Sequence, residues 1–153
     1  MHRSFDVIAR LRGKTLATAE SCTGGGIGAA LTSVSGSSAV YKGGIISYTN
    51  EIKHRILGVG EDTLATFGAV SAPVAREMAI GARNVLAADI AVSVTGLAGP
   101  GGDEYGNPVG TVFIGYSDMY VTLSREFHFC GDRDAVRRQA VAAALELILK
   151  QNP

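Results

Sequence analysis

The sequence predicts an α/β fold, a three-layer α/β/α arrangement around a mixed, mostly parallel sheet of about five strands. Three observations predict it. Buried-strand patterns alternate with helix patterns along most of the chain; Ile90 to Val94 is nearly all apolar, as a strand covered on both faces is; and Val109 to Phe129 reads as a hairpin, which adds antiparallel strands. A chain of 153 residues buries enough surface to hold one core without metal or disulfide staples, so residues 1–153 are expected to form one domain.

The elements follow in order. Phe5, Ile8, Ala9 and Leu11 fall on one side of a short N-terminal helix that ends near Gly13, and Thr15 to Glu20 is a first buried strand. The glycines Gly24 to Gly26 then open a helix that reaches about Val34. Ser35-Gly-Ser-Ser38 is a turn, and Tyr41 to Thr49, with Ile45 and Ile46 at its centre, is a second strand. Asn50 caps a helix carrying Glu51 to Leu57, which Gly58 stops. A short segment from Asp62 to Phe67 leads to Ser71-Ala-Pro73, where a longer helix begins with Val74, Met78, Ala82 and Val85 along one stripe. The strand Ile90 to Val94 runs into a second glycine-rich loop, Thr95-Gly-Leu-Ala-Gly-Pro-Gly-Gly102. Val109 to Tyr116 and Tyr120 to Phe129 pair around Ser117-Asp-Met119, and Gly131-Asp132 introduces a final helix with Val136, Ala140, Ala144 and Ile148 inward. In open sheets of this class, ligands collect beyond the carboxyl ends of the strands, where both glycine loops fall.

Composition narrows the function classes. Acidic and basic residues balance at 14 each, which removes generic nucleic-acid binding by net charge. Cys22 and Cys130 are too few for a disulfide framework, and Met1-His-Arg-Ser-Phe-Asp6 has no apolar signal core, so a reducing cytoplasm is expected. Asp89 and Glu146 interrupt the longest apolar runs, so no membrane span is expected. No His/Cys/Asp/Glu set has metal-ligand spacing. A homodimer is the default assembly, since symmetric dimers are the commonest oligomers.

The chemistry concentrates in Leu16-Ala-Thr-Ala-Glu-Ser-Cys-Thr-Gly-Gly-Gly26, where an apolar strand ends in hydroxyls and a thiol and then opens into glycines. Ser21 stands where a nucleophile elbow would, without the Gly-x-Ser-x-Gly spelling, and an ordinary turn serine is the plainer alternative. A serine hydroxyl attacks only when a base removes its proton. His2, His54 and His128 have no motif around them, which leaves lysine and tyrosine. Tyr48 and Lys53 flank the Asn50 turn after the second strand; a surface lysine and a core tyrosine are the plainer alternatives. Cys22 is a rival nucleophile, but strand alternation sends Ser21 and Cys22 to opposite sides, so only one faces the pocket. Glu20 either orients a partner or bonds to nearby backbone.

Backbone N–H groups of Thr23, Gly24 and Gly25 could hold an oxyanion, and Thr95 with Gly99 offers a second ligand-facing loop. Arg133 and Arg137, four apart at the start of the last helix, share a face and could hold a phosphate. Asp132 is read as that helix's cap. Gly24-x-Gly26-x-x-Ala29 fits a loose dinucleotide fingerprint, which a run of glycines meets easily.

Seven blocks together resemble the CinA C-terminal domain family: Ala19-Glu-Ser-Cys-Thr-Gly-Gly25, Gly36-Ser-Ser38, Tyr48-Thr-Asn-Glu-Ile-Lys53, Gly68-Ala-Val-Ser71, Thr95-Gly-Leu-Ala-Gly-Pro100, Pro108-Val-Gly-Thr111 and Gly131-Asp-Arg133. They occur in order along nearly the whole chain. The resemblance implies deamidation of nicotinamide mononucleotide to nicotinate mononucleotide and ammonia, with no metal or other cofactor. It implies Ser21 as nucleophile, Tyr48 and Lys53 as its activating partners, and Thr95 and Arg133 as substrate contacts. Many family members carry a further N-terminal domain, whose functions are not expected here. The competing expectation is a non-catalytic nucleotide-binding module that holds a phosphorylated ligand without turning it over.

Overall fold

Alternation along the central strands assigns each helix to a layer. The computed structural model describes residues 2–153. In it β1 (Leu16–Glu20) lies between β2 (Tyr41–Ile46) and β3 (Ile90–Gly96), and β4 (Thr111–Ser117) and β5 (Thr122–His128) complete the order β2-β1-β3-β4-β5. The β1–β2 and β1–β3 pairings are parallel, and β3–β4 and β4–β5 are antiparallel. Four strands therefore point one way, and β4 alone opposes them.

Leu16, Val92, Val94, Val112, Ile114 and Tyr116 face one layer, built from α1 (His2–Arg10), α2 (Gly26–Thr32) and α6 (Arg133–Gln151). The inward stripe of α6 runs through Val136, Ala140, Ala144 and Ile148, all fully buried. Burying a side chain of the size of Ile148 contributes about 1.5–3 kcal/mol. The opposite face carries small residues, Ala17, Ala19, Ala91, Ser93 and Gly115, against α5 (Ala72–Val85). Their size lets α5 sit almost on the sheet: Ser93 Oγ donates to the Ala75 carbonyl, and a Cβ on Gly115 would collide with that same oxygen. The short helix α4 (Glu61–Phe67) packs on α5 and adds Leu64 to its core, and the connection from α3 (Asn50–Arg55) to α4 adds Leu57 and Val59.

Several element edges differ from the sequence expectation. The buried stripe of α1 is Ser4, Val7, Ile8 and Leu11, while Phe5 and Ala9 face outward; Ser4 lets the helix approach where Phe5 would hold it off. Val85 is exposed, one turn beyond the last buried residue of its stripe, Ala82. β2 stops at Ile46, and Thr49 rather than Asn50 caps α3, its hydroxyl accepting from Ile52 N–H. Asp132 caps α6 as expected, accepting from Ala135 N–H at 2.9 Å. No helix among the described residues is long and apolar enough to cross a membrane.

The register places the site. Glu20 is paired with Ile46 on one side and with Val94 on the other, so β1 and β2 end level and β3 runs on two residues past them, to Gly96. The chain passes from β1 to β2 through α2 on one face and from β2 to β3 through α5 on the other, which makes the end of β1 the switch point where open sheets bind ligands.

Candidate active site

Ser21 follows β1 directly, and its N–H extends the ladder to Val94 O at 3.0 Å. The chain then turns through Gly24 and Gly25, at φ 58° and 103°, a left-handed geometry that side-chain-bearing residues resist. Glu20 fixes what comes after. Its buried carboxylate accepts from Thr23 Oγ1 at 2.7 Å, Ile27 N–H at 2.8 Å and Gly28 N–H at 3.0 Å, filling the N-terminus of α2 with a charge of the sign that terminus favours. The glycine turn is therefore closed to an external phosphate there, and the dinucleotide fingerprint has no vacant cradle behind it.

Lys53 reaches Ser21 from α3. Its Nζ donates to Ser21 Oγ at 3.0 Å and to the Ser47 carbonyl at 2.8 Å. Lys53 is 1% exposed, and both partners are neutral oxygens, so burial drives its pKa from the usual 10.5 down to about 8. A lysine in that state exchanges protons near neutral pH, which a serine needs from its base.

Cys22 also lines the cleft. β1 has ended by then, so strand alternation no longer separates it from Ser21. Its thiol packs into the core beside α2, and burial pushes its pKa up to about 11. A thiol shifted in that direction stays protonated at neutral pH, whereas attack needs the thiolate.

The cleft in front of Ser21 has a volume of about 650 Å³, within the usual range for small-molecule sites. Ser21 and Lys53 form its floor, Thr95 to Gly101 one wall, and Tyr48, Tyr105 and Arg133 also border it. Thr95 is buried, and its hydroxyl donates to Ala69 O at 2.8 Å. Arg133 spans the opening, donating to Gly99 O at 2.7 Å and to Tyr48 Oη at 3.0 Å. The Tyr48 side chain is thus held by Arg133 rather than by Ser21 or Lys53, and the residue is 58% exposed.

Not every expected residue reaches this cleft. Thr23, Gly24, Gly25 and Arg137 do not border it. Arg137 donates instead to Cys22 O at 3.0 Å and Thr23 O at 3.3 Å, gripping the turn that follows Ser21. Gly24 N–H is committed to Ser21 O, whereas Thr23 N–H and Gly25 N–H have no acceptor among the described residues. His54 and His128 lie elsewhere, bonded to Val59 O and to Glu126, and the side chain of His2 is outside the described part. No group of three metal-ligating side chains gathers among the described residues.

Two contributors had little or no sequence signal. Ser47 acts through its carbonyl, which any residue would supply. Tyr105 comes from a loop that Asp103 organises by accepting from Tyr105 N–H, Asn107 N–H and Asn107 Nδ2, and Tyr105 Oη anchors on Ala65 O at 2.9 Å. An aromatic residue inside a Gly/Pro-rich loop was the one available hint.

Known proteins resemble this chain in sequence and in fold. The chain is 49% identical over 143 residues, 93% of its length, to the nicotinamide-nucleotide amidohydrolase PncC of Escherichia coli (strain K12), covering 87% of that protein. It is 50% identical over 151 residues to a CinA-like protein of Thermosynechococcus vestitus, of which it spans 36%. The crystal structure of the competence/damage inducible protein CihA from Agrobacterium tumefaciens superposes with a TM-score of 0.96 at 42% identity, covering 99% of this chain and 94% of that one. Residues 2–152 match the CinA C-terminal domain, and the chain belongs to that family.

Proposed function

We propose that this protein is an amidohydrolase that converts nicotinamide mononucleotide to nicotinate mononucleotide and ammonia, with Ser21 as nucleophile and Lys53 as its base. The observation that carries the proposal is the buried 3.0 Å contact between Lys53 Nζ and Ser21 Oγ at the floor of the cleft. The name borne by the relative from Escherichia coli supplies the substrate.

The steps balance on these groups. Neutral Lys53 takes the hydroxyl proton as Ser21 Oγ bonds to the carboxamide carbon, giving a tetrahedral oxyanion. Lys53 then returns that proton to the departing nitrogen, the C–N bond breaks, ammonia leaves and an acyl-Ser21 ester remains. Water attacks the ester while Lys53 accepts its proton, and protonation of Ser21 Oγ releases the nicotinate product. Thr95 and Gly99 contribute the wall against which the substrate rests, and Arg133, at the cleft's edge, receives the phosphate. Tyr48 shapes that phosphate end through its bond to Arg133.

Ammonia release from nicotinamide mononucleotide tests the proposal. The wild type is expected to turn over, and Ser21→Ala and Lys53→Ala to lose at least about 10³-fold in rate while remaining folded. Wild-type binding without ammonia release would instead favour the non-catalytic nucleotide-binding module.

A further inference from the structure

We propose that Arg137 is a positioning residue for the nucleophile turn and not a substrate contact. The proposal rests on the amidohydrolase reading above and deepens it. Arg137 stands on α6, more than a hundred positions along the chain from the turn it holds, and it does not border the cleft. Its guanidinium grips two successive carbonyls, those of Cys22 and Thr23, through Nε and Nη2. Those are the first two carbonyls after Ser21.

A trans peptide points its N–H opposite to its carbonyl. Holding Cys22 O toward α6 therefore aims Thr23 N–H away from α6, and holding Thr23 O does the same for Gly24 N–H. Gly24 N–H is used at once, donating to Ser21 O and closing the turn on the nucleophile. Thr23 N–H is left without an acceptor among the described residues, so the grip on the Cys22 carbonyl, and not a bond of its own, sets the orientation of that peptide. A cation on a carbonyl oxygen also strengthens the N–H of the same peptide as a donor. Glu20 completes the clamp from the other end, with its carboxylate on Thr23 Oγ1 and the first N–H groups of α2. The turn is thus fixed between an anion and a cation, neither of which is needed to touch substrate.

The space around Gly24 agrees with this role. A Cβ there would lie 3.5 Å from Arg137 Nη2, so the guanidinium packs directly on the turn. Placing this grip on a helix lets the core that fixes α6 also fix the nucleophile.

The test compares Arg137→Ala, Arg137→Lys and Arg133→Ala in steady-state ammonia release from nicotinamide mononucleotide, with unfolding midpoints alongside. Arg137→Ala is expected to lower kcat about 10- to 100-fold with KM within about twofold, the loss expected when the nucleophile is displaced from its working position. Added methylguanidinium is expected to restore part of that rate, and to do nothing for Arg133→Ala. A raised KM with unchanged kcat in Arg137→Ala would overturn the proposal and return Arg137 to the substrate. Should Arg137→Ala fail to fold, Arg137→Lys, which keeps the charge but only one donor nitrogen in place of the two that grip the turn, carries the same kcat-against-KM comparison. A readout independent of turnover separates the two claims: Gly24 amide exchange is expected to speed up at least tenfold in Arg137→Ala relative to β1 amides. A silent wild type with that acceleration sinks the amidohydrolase reading alone. An active wild type with unchanged Gly24 exchange and unchanged kcat sinks the role of Arg137.

Discussion

At the scale of single residues, Lys53 carries two consequences of one displaced proton equilibrium. Its pKa in the folded protein is about 8, below the 10.5 of an exposed lysine. As a base it must be neutral, so kcat/KM is expected to rise about tenfold per pH unit below 8 and to level off above it. A profile flat from pH 6 to 9 would remove Lys53 as the base. The same displacement sets stability. Between about pH 8 and 10.5 the unfolded chain binds the proton that the folded chain has released, so stability from this group rises with pH across that window and is lost as pH falls through 8. The swing is about 3 kcal/mol, at about 1.4 kcal/mol per pKa unit. Lys53→Met has no such group; its stability relative to wild type is expected to fall by about 3 kcal/mol from pH 7 to pH 11 in urea unfolding. Cys22 answers the rival chemistry. With its thiol pushed up to about 11, Cys22→Ala is expected to keep ammonia release within about threefold. It should lose about 1–2 kcal/mol of stability from the gap left in the core. Loss of activity in folded Cys22→Ala would instead point to the thiol as nucleophile.

At the scale of elements, the joint between β1 and α2 is the decisive one, and Glu20 holds it. Glu20→Gln keeps the shape but replaces one acceptor oxygen by an amide that faces donors, and it removes the charge at the helix terminus. A loss of about 2–3 kcal/mol is expected, read from the urea midpoint at unchanged slope; a change under about 0.5 kcal/mol would show the carboxylate to be dispensable. The elements themselves were largely legible. Apolar periodicity found every strand and each longer helix, because layers of helices on a sheet impose separate periods on their residues, whereas α4, two turns long with a single buried residue, was read only as a short segment. What periodicity could not resolve was which of two adjacent stripes of α1 turns inward, since Phe5 is the more apolar candidate while Ser4 is the one that fits. Capping at α3 went to Thr49 rather than Asn50 because β2 ends early and leaves Thr49 in extended geometry, with its hydroxyl over the first turn. The joint at Glu20 was read only as one of two options, since nothing in a sequence says which way a carboxylate at a strand end will turn.

At the scale of the whole molecule, the site is a product of register. Residues far apart in sequence meet because three parallel strands end within two residues of one another, and this much was legible: Ser21, Lys53, Thr95, Gly99 and Arg133 all reach one cleft. The two arginines of α6 could not be told apart from sequence. One helical turn separates them, which is enough for Arg133 to cross the cleft opening and Arg137 to reach behind the nucleophile turn. The balanced net charge therefore conceals a local cation at the cleft, and the substrate's phosphate is the group that should sense it. A charge-assisted pair is worth about 1.5–3 kcal/mol, so Arg133→Ala is expected to raise KM for nicotinamide mononucleotide about 10- to 100-fold. The phosphate-free nucleoside, nicotinamide riboside, has nothing to lose there, and its kcat/KM is expected to change by less than about threefold. Arg133 also ties Gly99 to Tyr48, so a purely architectural role must be separated from charge recognition. An architectural role would lower kcat/KM equally for nucleotide and nucleoside, because both depend on the shape of the cleft; recognition makes the penalty fall on the nucleotide alone. Salt gives the same discrimination without mutation. Raising ionic strength from 0.05 to 0.5 M is expected to raise the wild-type KM for the nucleotide and leave that for the nucleoside in place, since screening weakens the attraction to the exposed guanidinium while leaving the buried Lys53–Ser21 contact intact.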